Sequence, residues 1–374
     1  MKKSLRVVLL SFLNLACLPF VLSAGFEMKI NEETSAQFGF KAQDWVQFAE
    51  DAAPDGKGDG LDFSIKTLRF YISGQVHRLA KFGANVDWQR GIWDGGTAVN
   101  STAVLRDANI LFDFTAASKI MLGLYRTPFS RVALQDSFGY LLPHSPDTAG
   151  AGYIGDTLDY RNLGLAFTGD IPSRKLRYSA GAFEGDLNPA GATAGDDSPF
   201  YSARISFYPF EFEKGYVNQG TYLGKYNNLL SLGAGYLSGK YMTGALSPSY
   251  NAWTADIFIE RKIYNGTLTG EAAFFNYDRD VADGGTSAWY ALCGYLFPEI
   301  NLQPVLRYEK SDRAGLVTGG EDFQKWAFGF NWYLKGHDSK IQVEYARKDY
   351  ETEGISPRAD KDYGDLTAAF QIQF

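Results

Sequence analysis

Basic side chains recur at the polar positions of an alternating pattern: Arg69, Lys81, Lys119, Arg177, Arg204, Arg307 and Lys325. Asp87, Asp113, Asp256, Glu260, Glu271, Glu309 and Glu344 share that phase. Charges placed in this way act on passing ions through their field, orienting and sorting them without making or breaking bonds. Covalent chemistry has little to start from. No Gly-x-Ser-x-Gly turn occurs, and His77, His144 and His337 are scattered without His-Glu-x-x-His spacing. No Cys-x-x-Cys-His is present to attach haem. The run Asp55 to Asp62 has calcium-loop composition, but Lys57 and Lys66 stand where oxygen ligands are needed, so it reads as a Gly/Asp surface turn. The reading is a non-enzyme without a metal or cofactor of its own.

The elements that carry these charges are strands. Leu68, Phe70, Ile72 and Val76 alternate with Arg69, Ser73, Gln75 and His77. Trp326, Phe328, Phe330 and Trp332 alternate with Lys325, Ala327, Gly329 and Asn331. This period of two marks a strand with one apolar face. Sixteen such segments are read, at 34–48, 63–76, 79–90, 104–115, 118–128, 157–169, 175–185, 199–209, 228–239, 251–262, 266–278, 286–297, 300–311, 323–335, 339–350 and 362–374. Many run to ten residues or more, the length a tilted strand needs to cross a bilayer. Long Gly- and Asp-rich links alternate with tight turns, and the chain stops on Phe374 in mid-alternation. Lipid offers no partner to a free strand edge, so these strands must close. The predicted fold is all-β: a closed antiparallel transmembrane β-barrel of 16 strands, wide enough to hold water. Trp45, Trp88, Trp93, Tyr208, Trp253, Trp289, Trp326, Trp332 and Tyr333 are expected at its interfacial girdles.

Lys2, Lys3 and Arg6 precede an apolar run from Val7 to Leu22 and small residues at Ser23, Ala24 and Gly25. Residues 1–24 therefore read as a cleaved signal peptide and 25–374 as the barrel domain. Cys17 lacks a lipobox because Asn14 takes the place of Leu. Cleavage leaves 33 basic against 43 acidic side chains and a single cysteine, Cys293. This balance excludes a nucleic-acid binder. A mean hydropathy of -0.22 excludes a helical membrane protein.

Several stretches in order resemble a known group. LRDANILFDF at 105–114 and IMLGLYRTPFSR at 120–131 look like a strand pair of the phosphate-selective porin O and P family. DYRNLGLAFTGD, YSAGAFEGD and YSARISFYPF follow in the same order, and the segments 290–312 and 325–350 resemble its late strands. The resemblance implies a 16-stranded barrel, commonly a trimer, with a third external loop folded into the lumen, here about 129–156. It also implies basic residues along the pore.

On that reading Arg69, Lys81, Arg204, Arg307 and Lys325 line the pore, and Tyr125, Arg126, Arg131 and Arg161 flank the inward loop at a constriction. These arginines serve either to contact anionic solutes or to pair with Asp136, Asp156 or Asp159 and hold the loop. A lumen of mixed sign orients solutes without a clear preference, and acidic outer loops repel anions within about 8 Å. The leading function is passive diffusion of small hydrophilic solutes or ions, phosphate among them, across an outer membrane. Lipids and lipopolysaccharide are the expected surroundings. The alternative is a structural barrel sheathing an electron-transfer cytochrome, with the long link 210–227 as a periplasmic docking element.

Overall fold

The computed structural model describes residues 26–53, 58–90, 103–150, 160–184, 198–240, 249–279, 285–313, 322–351 and 362–374. The proposed signal peptide, Trp93, Asp156 and Asp159 lie outside them, as do many acidic residues of the expected outer loops, Asp55 among them. The strands are β1 (Phe26–Lys29), β2 (Ser35–Ala49), β3 (Gly60–His77), β4 (Ala80–Arg90), β5 (Ala103–Thr115), β6 (Ser118–Arg126), β7 (Arg161–Ile171), β8 (Leu176–Phe183) and β9 (Phe200–Phe207), followed by β10 (Asn228–Lys240), β11 (Ser249–Ile263), β12 (Gly266–Arg279), β13 (Thr286–Leu296), β14 (Leu302–Arg313), β15 (Phe323–Lys335), β16 (Ser339–Tyr350) and β17 (Asp362–Gln373).

Each strand from β2 to β17 pairs antiparallel with the next, and β17 pairs back onto β2, from Asp365↔Ala49 to Gln373↔Lys41. These sixteen strands form a closed ring with no open edge. The alternation in the sequence finds no counterpart for β1. It pairs with β2 from Phe26↔Phe38 to Lys29↔Ser35, just beyond the point where Phe374 and Phe40 exchange backbone hydrogen bonds. β1 thus covers the stretch of β2 that the shorter β17 leaves unpaired.

The apolar phase faces outward. On β15, Trp326, Phe328, Phe330 and Trp332 are 55%, 58%, 37% and 39% exposed, while Ala327 and Asn331 between them are buried. A bulge resets the phase on β3. Leu61, Phe63 and Ile65 face out, the register slips between Ile65 and Leu68, and Phe70 and Val76 then continue the outer face. The slip lets Ser64, Thr67 and Arg69 all be buried on the inner side. A second bulge lies between Asn85 and Val86 of β4, opposite Asp107 and Leu105 of β5.

The girdle reading holds for Trp253, Trp289, Trp326 and Trp332, which are exposed on the outer face. Trp45, Tyr208 and Tyr333 are instead buried, on the inner phase of their strands or next to it. The inner surface is also less polar than simple alternation suggests. Phe183, Phe200, Phe275, Tyr277 and Tyr290 point inward and form a core with Phe129 and Val132.

Candidate functional site

Two chain segments explain that inner core. The first is the link from β6 to β7. Its residues from Thr127 to Leu142 are largely buried, and it runs along the inner face of β9 to β17. Ser202 Oγ donates to the Pro128 carbonyl at 3.0 Å, and Arg204 Nη1 to that of Phe129 at 3.2 Å. Asn331 Nδ2 donates to the Leu141 carbonyl at 2.8 Å, Gln371 Nε2 to that of Phe138 at 3.0 Å, and Lys340 Nζ to that of Tyr140 at 2.9 Å. Thr148 N donates to Glu309 at 3.1 Å, and His144 N to Glu344 at 3.1 Å. Irregular backbone inside a barrel must find hydrogen-bond partners, and the polar phase of the strands supplies them. Gly235 permits the approach, since a Cβ there would lie 1.9 Å from the Phe129 carbonyl oxygen.

The second segment is 208–227, between β9 and β10, at the end of the barrel where the other links are tight turns. It turns into the lumen, which corrects its assignment as a docking element. Asn218 N donates to the Leu134 carbonyl, and Asp136 N to the Asn218 carbonyl, both at 2.9 Å. Thr221 Oγ1, Tyr222 N and Gly224 N donate to the Glu260 carboxylate at 2.9, 2.6 and 3.1 Å. The two segments touch at Gly139 and Gly220, where a Cβ on Gly220 would come within 2.7 Å of the Gly139 carbonyl oxygen.

Arg131 joins both segments to the wall. Its guanidinium lies 2.7 Å from Glu213 and 3.1 Å from Glu271, donates to the Gln219 carbonyl at 2.9 Å, and sits 3.7 Å over the Phe258 ring. Glu213 also accepts from Tyr222 Oη at 2.5 Å. Burial alone would raise the Glu213 carboxyl, but Arg131 outweighs it and holds the group below its ordinary range. Burial alone would likewise lower Arg131, whereas Glu213 and Glu271 keep it charged. A buried pair removed from one side leaves an uncompensated charge, so this cluster is a strong positional constraint.

The other predicted residues divide by location. Arg204 pairs with Asp256 at 2.7 Å, Arg307 with Glu309 and Glu344 at 2.8 and 3.0 Å, and Lys325 with Asp147 at 2.9 Å. All three lie against the first inserted segment. Burial would raise Asp147, but Lys325 and Lys348 keep it ionised. Lys81 pairs with Asp113 at 2.5 Å, close to the short-turn end. Arg161 makes a two-point contact with Asp107 at 2.9 and 3.1 Å, whereas two of its expected partners, Asp156 and Asp159, lie outside the described residues. Arg126 donates to the Ala133 carbonyl at 2.9 Å. Tyr125 is buried against Phe183.

An open cavity of about 550 Å³ lies on the opposite side, between β2–β6 and the inserted segments. Lys41, Arg69, Arg126 and Arg161 line it, with Asp107, Asp136 and, in the β15–β16 link, Asp338. Lys41 and Asp136 pair at 2.6 Å with both side chains partly exposed. Burial would raise Asp136, yet Lys41, Arg69 and Arg126 together keep it well below the usual carboxylate range. Arg69 and Arg106 share Asp87 at 2.8 and 3.2 Å.

Sequence reasoning missed Lys41, Arg106, Asp107 and Glu213; it named Asp136 as a partner for the constriction arginines, whereas its side chain pairs with Lys41. Lys41 has the right alternation to be found. Arg106 and Asp107 are adjacent and both turn inward only because of the β4–β5 bulge. Asp136 and Glu213 sit in links, where no periodicity reports direction. Among the described residues, no group of three or more His, Cys, Asp or Glu side chains is placed to hold a metal ion.

The sequence model of the phosphate-selective porin O and P family matches residues 40–374. The chain belongs to that family. It is an outer-membrane porin and not an enzyme. No curated protein sequence matches it. Solved structures share the porin's fold at low identity. The outer membrane channel DcaP of Acinetobacter baumannii is 15% identical with a TM-score of 0.59, covering 94% of this chain and 100% of that one. Salmonella typhi OmpF, in complex with daunomycin, is 14% identical at 0.58, covering 93% and 100%. Vibrio cholerae OmpT, in a trimer form, is 14% identical at 0.52, covering 94% and 100%.

Proposed function

We propose that the porin passes small hydrophilic solutes along the cavity beside β2–β6, and that this path favours small anions over cations. One observation carries the reading: four basic side chains line the cavity (Lys41, Arg69, Arg126 and Arg161) against the carboxylates of Asp107, Asp136 and Asp338. Charges on the far side are sealed into pairs with the inserted segments and contribute little to the field that a solute meets. Charges beside open water act on a passing ion directly. The acidic outer loops limit the preference, so it is modest. We further propose that residues 1–24 direct export and are removed, and that the porin assembles as a trimer, as the trimer form of the OmpT structure suggests by analogy.

The test is single-channel recording in planar bilayers under a potassium chloride gradient. The expected result is an ohmic channel whose reversal potential lies on the chloride side. A cation-selective channel would overturn the anion preference, and a folded porin without current would overturn conduction along this cavity. Amino-terminal sequencing of the membrane-extracted protein checks the cleavage.

A further inference from the structure

We infer that segment 208–227 is a specificity-determining element of the channel: an apolar surface that shares the solute path with the basic side chains and suits small organic carboxylates better than inorganic phosphate. This rests on the channel reading above. The barrel does not need the segment for closure, because β9 and β10 pair through Phe207↔Leu232 before it begins. The neighbouring β11–β12 hairpin closes through a two-residue link. What 208–227 does provide is a surface. Tyr216, Val217 and Gln219 line the cavity together with the basic side chains.

Val217 is the informative residue. It is 43% exposed although its neighbour Asn218 is 4% exposed and tied to the first inserted segment. An apolar side chain presented to a water path inside the barrel lies on the wrong face for lipid. Tyr216 extends the same wall and is fixed by its hydroxyl, which donates to the Arg126 carbonyl at 2.7 Å. That bond places the aromatic surface beside Arg126 in the cavity wall. A fully hydrated phosphate gains from the basic side chains alone. A carboxylate with an apolar body gains from these and from the apolar surface, since its body leaves water where its charge is met. Glu213 is the positioning residue, because its pair with Arg131 holds the segment at this depth.

The test compares benzoate with phosphate by bi-ionic reversal potentials on the full-length porin. The parent is expected to be severalfold more permeable to benzoate. Val217→Asp should abolish that ratio, which is read at whatever chloride current the variant passes. A second variant keeps the question open should that one misfold. With Cys293→Ser removing the exposed native thiol, Val217→Cys is labelled by a negatively charged methanethiosulfonate, and the current should fall severalfold. A benzoate ratio unchanged by Val217→Asp, or a current indifferent to labelling at position 217, overturns the inference. Loss of chloride current in the parent would instead sink the channel reading itself.

Discussion

The two sides of the lumen use the same residue types to opposite ends. Along β9–β17, arginines and lysines meet carboxylates at distances such as 2.7 Å for Arg204–Asp256 and 3.0 Å for Arg307–Glu344, with nearly all side-chain surface buried. Those charges are fasteners for two inserted segments. Along β2–β6 the cations stand over an open cavity, where Lys41 and Asp136 keep 15% and 17% of their side-chain surface. Lys41 and Asp136 are thus available to solutes, while Arg69, Arg126 and Arg161 border the cavity with little exposed surface and act on it through their field. An inward arginine is therefore not in itself a pore arginine; its neighbours decide whether it meets water or a carboxylate sealed in protein.

The largest test of this contrast is Arg131→Ala on the fastened side. It strands Glu213 and Glu271 without their cation, at a cost of about 3–5 kcal/mol. Thermal unfolding followed by heat-modified gel mobility should show a clear loss of stability, with noisier and larger conductance. A stable, quiet channel would mean that the cluster does not hold the segments. Next in size is the exchange of Arg126 and Arg161 for alanine on the open side. Anion preference should disappear or reverse, as read by reversal potential, and melting should fall as well, because losing Arg161 leaves Asp107 without its two-point partner. A reversal potential unchanged by both substitutions would erase the distinction between the two sides.

A smaller effect is expected from pH. His337 sits in the β15–β16 link, with its Nε2 2.9 Å from the Thr221 carbonyl and its Nδ1 buried without a hydrogen-bond partner. Burial, aided by the charge of Lys340, lowers it from its ordinary 6.5 to about 4, while the Thr221 contact and Asp136 oppose that shift. A released His337 takes up its proton near 6.5, whereas the docked one resists until about 4. Docking of segment 208–227 is therefore at full strength above pH 6.5 and weakens as pH falls toward 4. Current fluctuations should grow between pH 7 and pH 5 in the parent and stay flat in His337→Gln. The smallest effect belongs to Lys41→Met. It removes one of three cations that keep Asp136 ionised, so melting should fall modestly while chloride preference declines.

Much of this architecture was readable beforehand. The outward rows such as Trp326, Phe328, Phe330 and Trp332 follow from alternation, and all sixteen ring strands lie near their expected ranges. The misplaced aromatics are instructive. Tyr208 and Tyr333 look like girdle residues by type, yet both are buried inside, where their hydroxyls reach Glu213 at 3.4 Å and Gln303 at 2.6 Å. A tyrosine suits a lipid interface and a polar interior equally, so type alone could not assign it. The β3 and β4–β5 bulges were equally silent, because one extra residue reverses direction without altering composition.

The sequence by itself determined the ring: strand number, direction, outward face and the requirement to close. These are local properties, set by a period of two residues and by the cost of unpaired backbone in lipid. Only the tertiary structure decided which charges face solutes. Arg131 and Glu213 are 82 residues apart, and Lys41 and Asp136 are 95 apart. Their meeting depends on how two links without periodicity fold back into the barrel, and no short-range pattern in the chain records where such links end up.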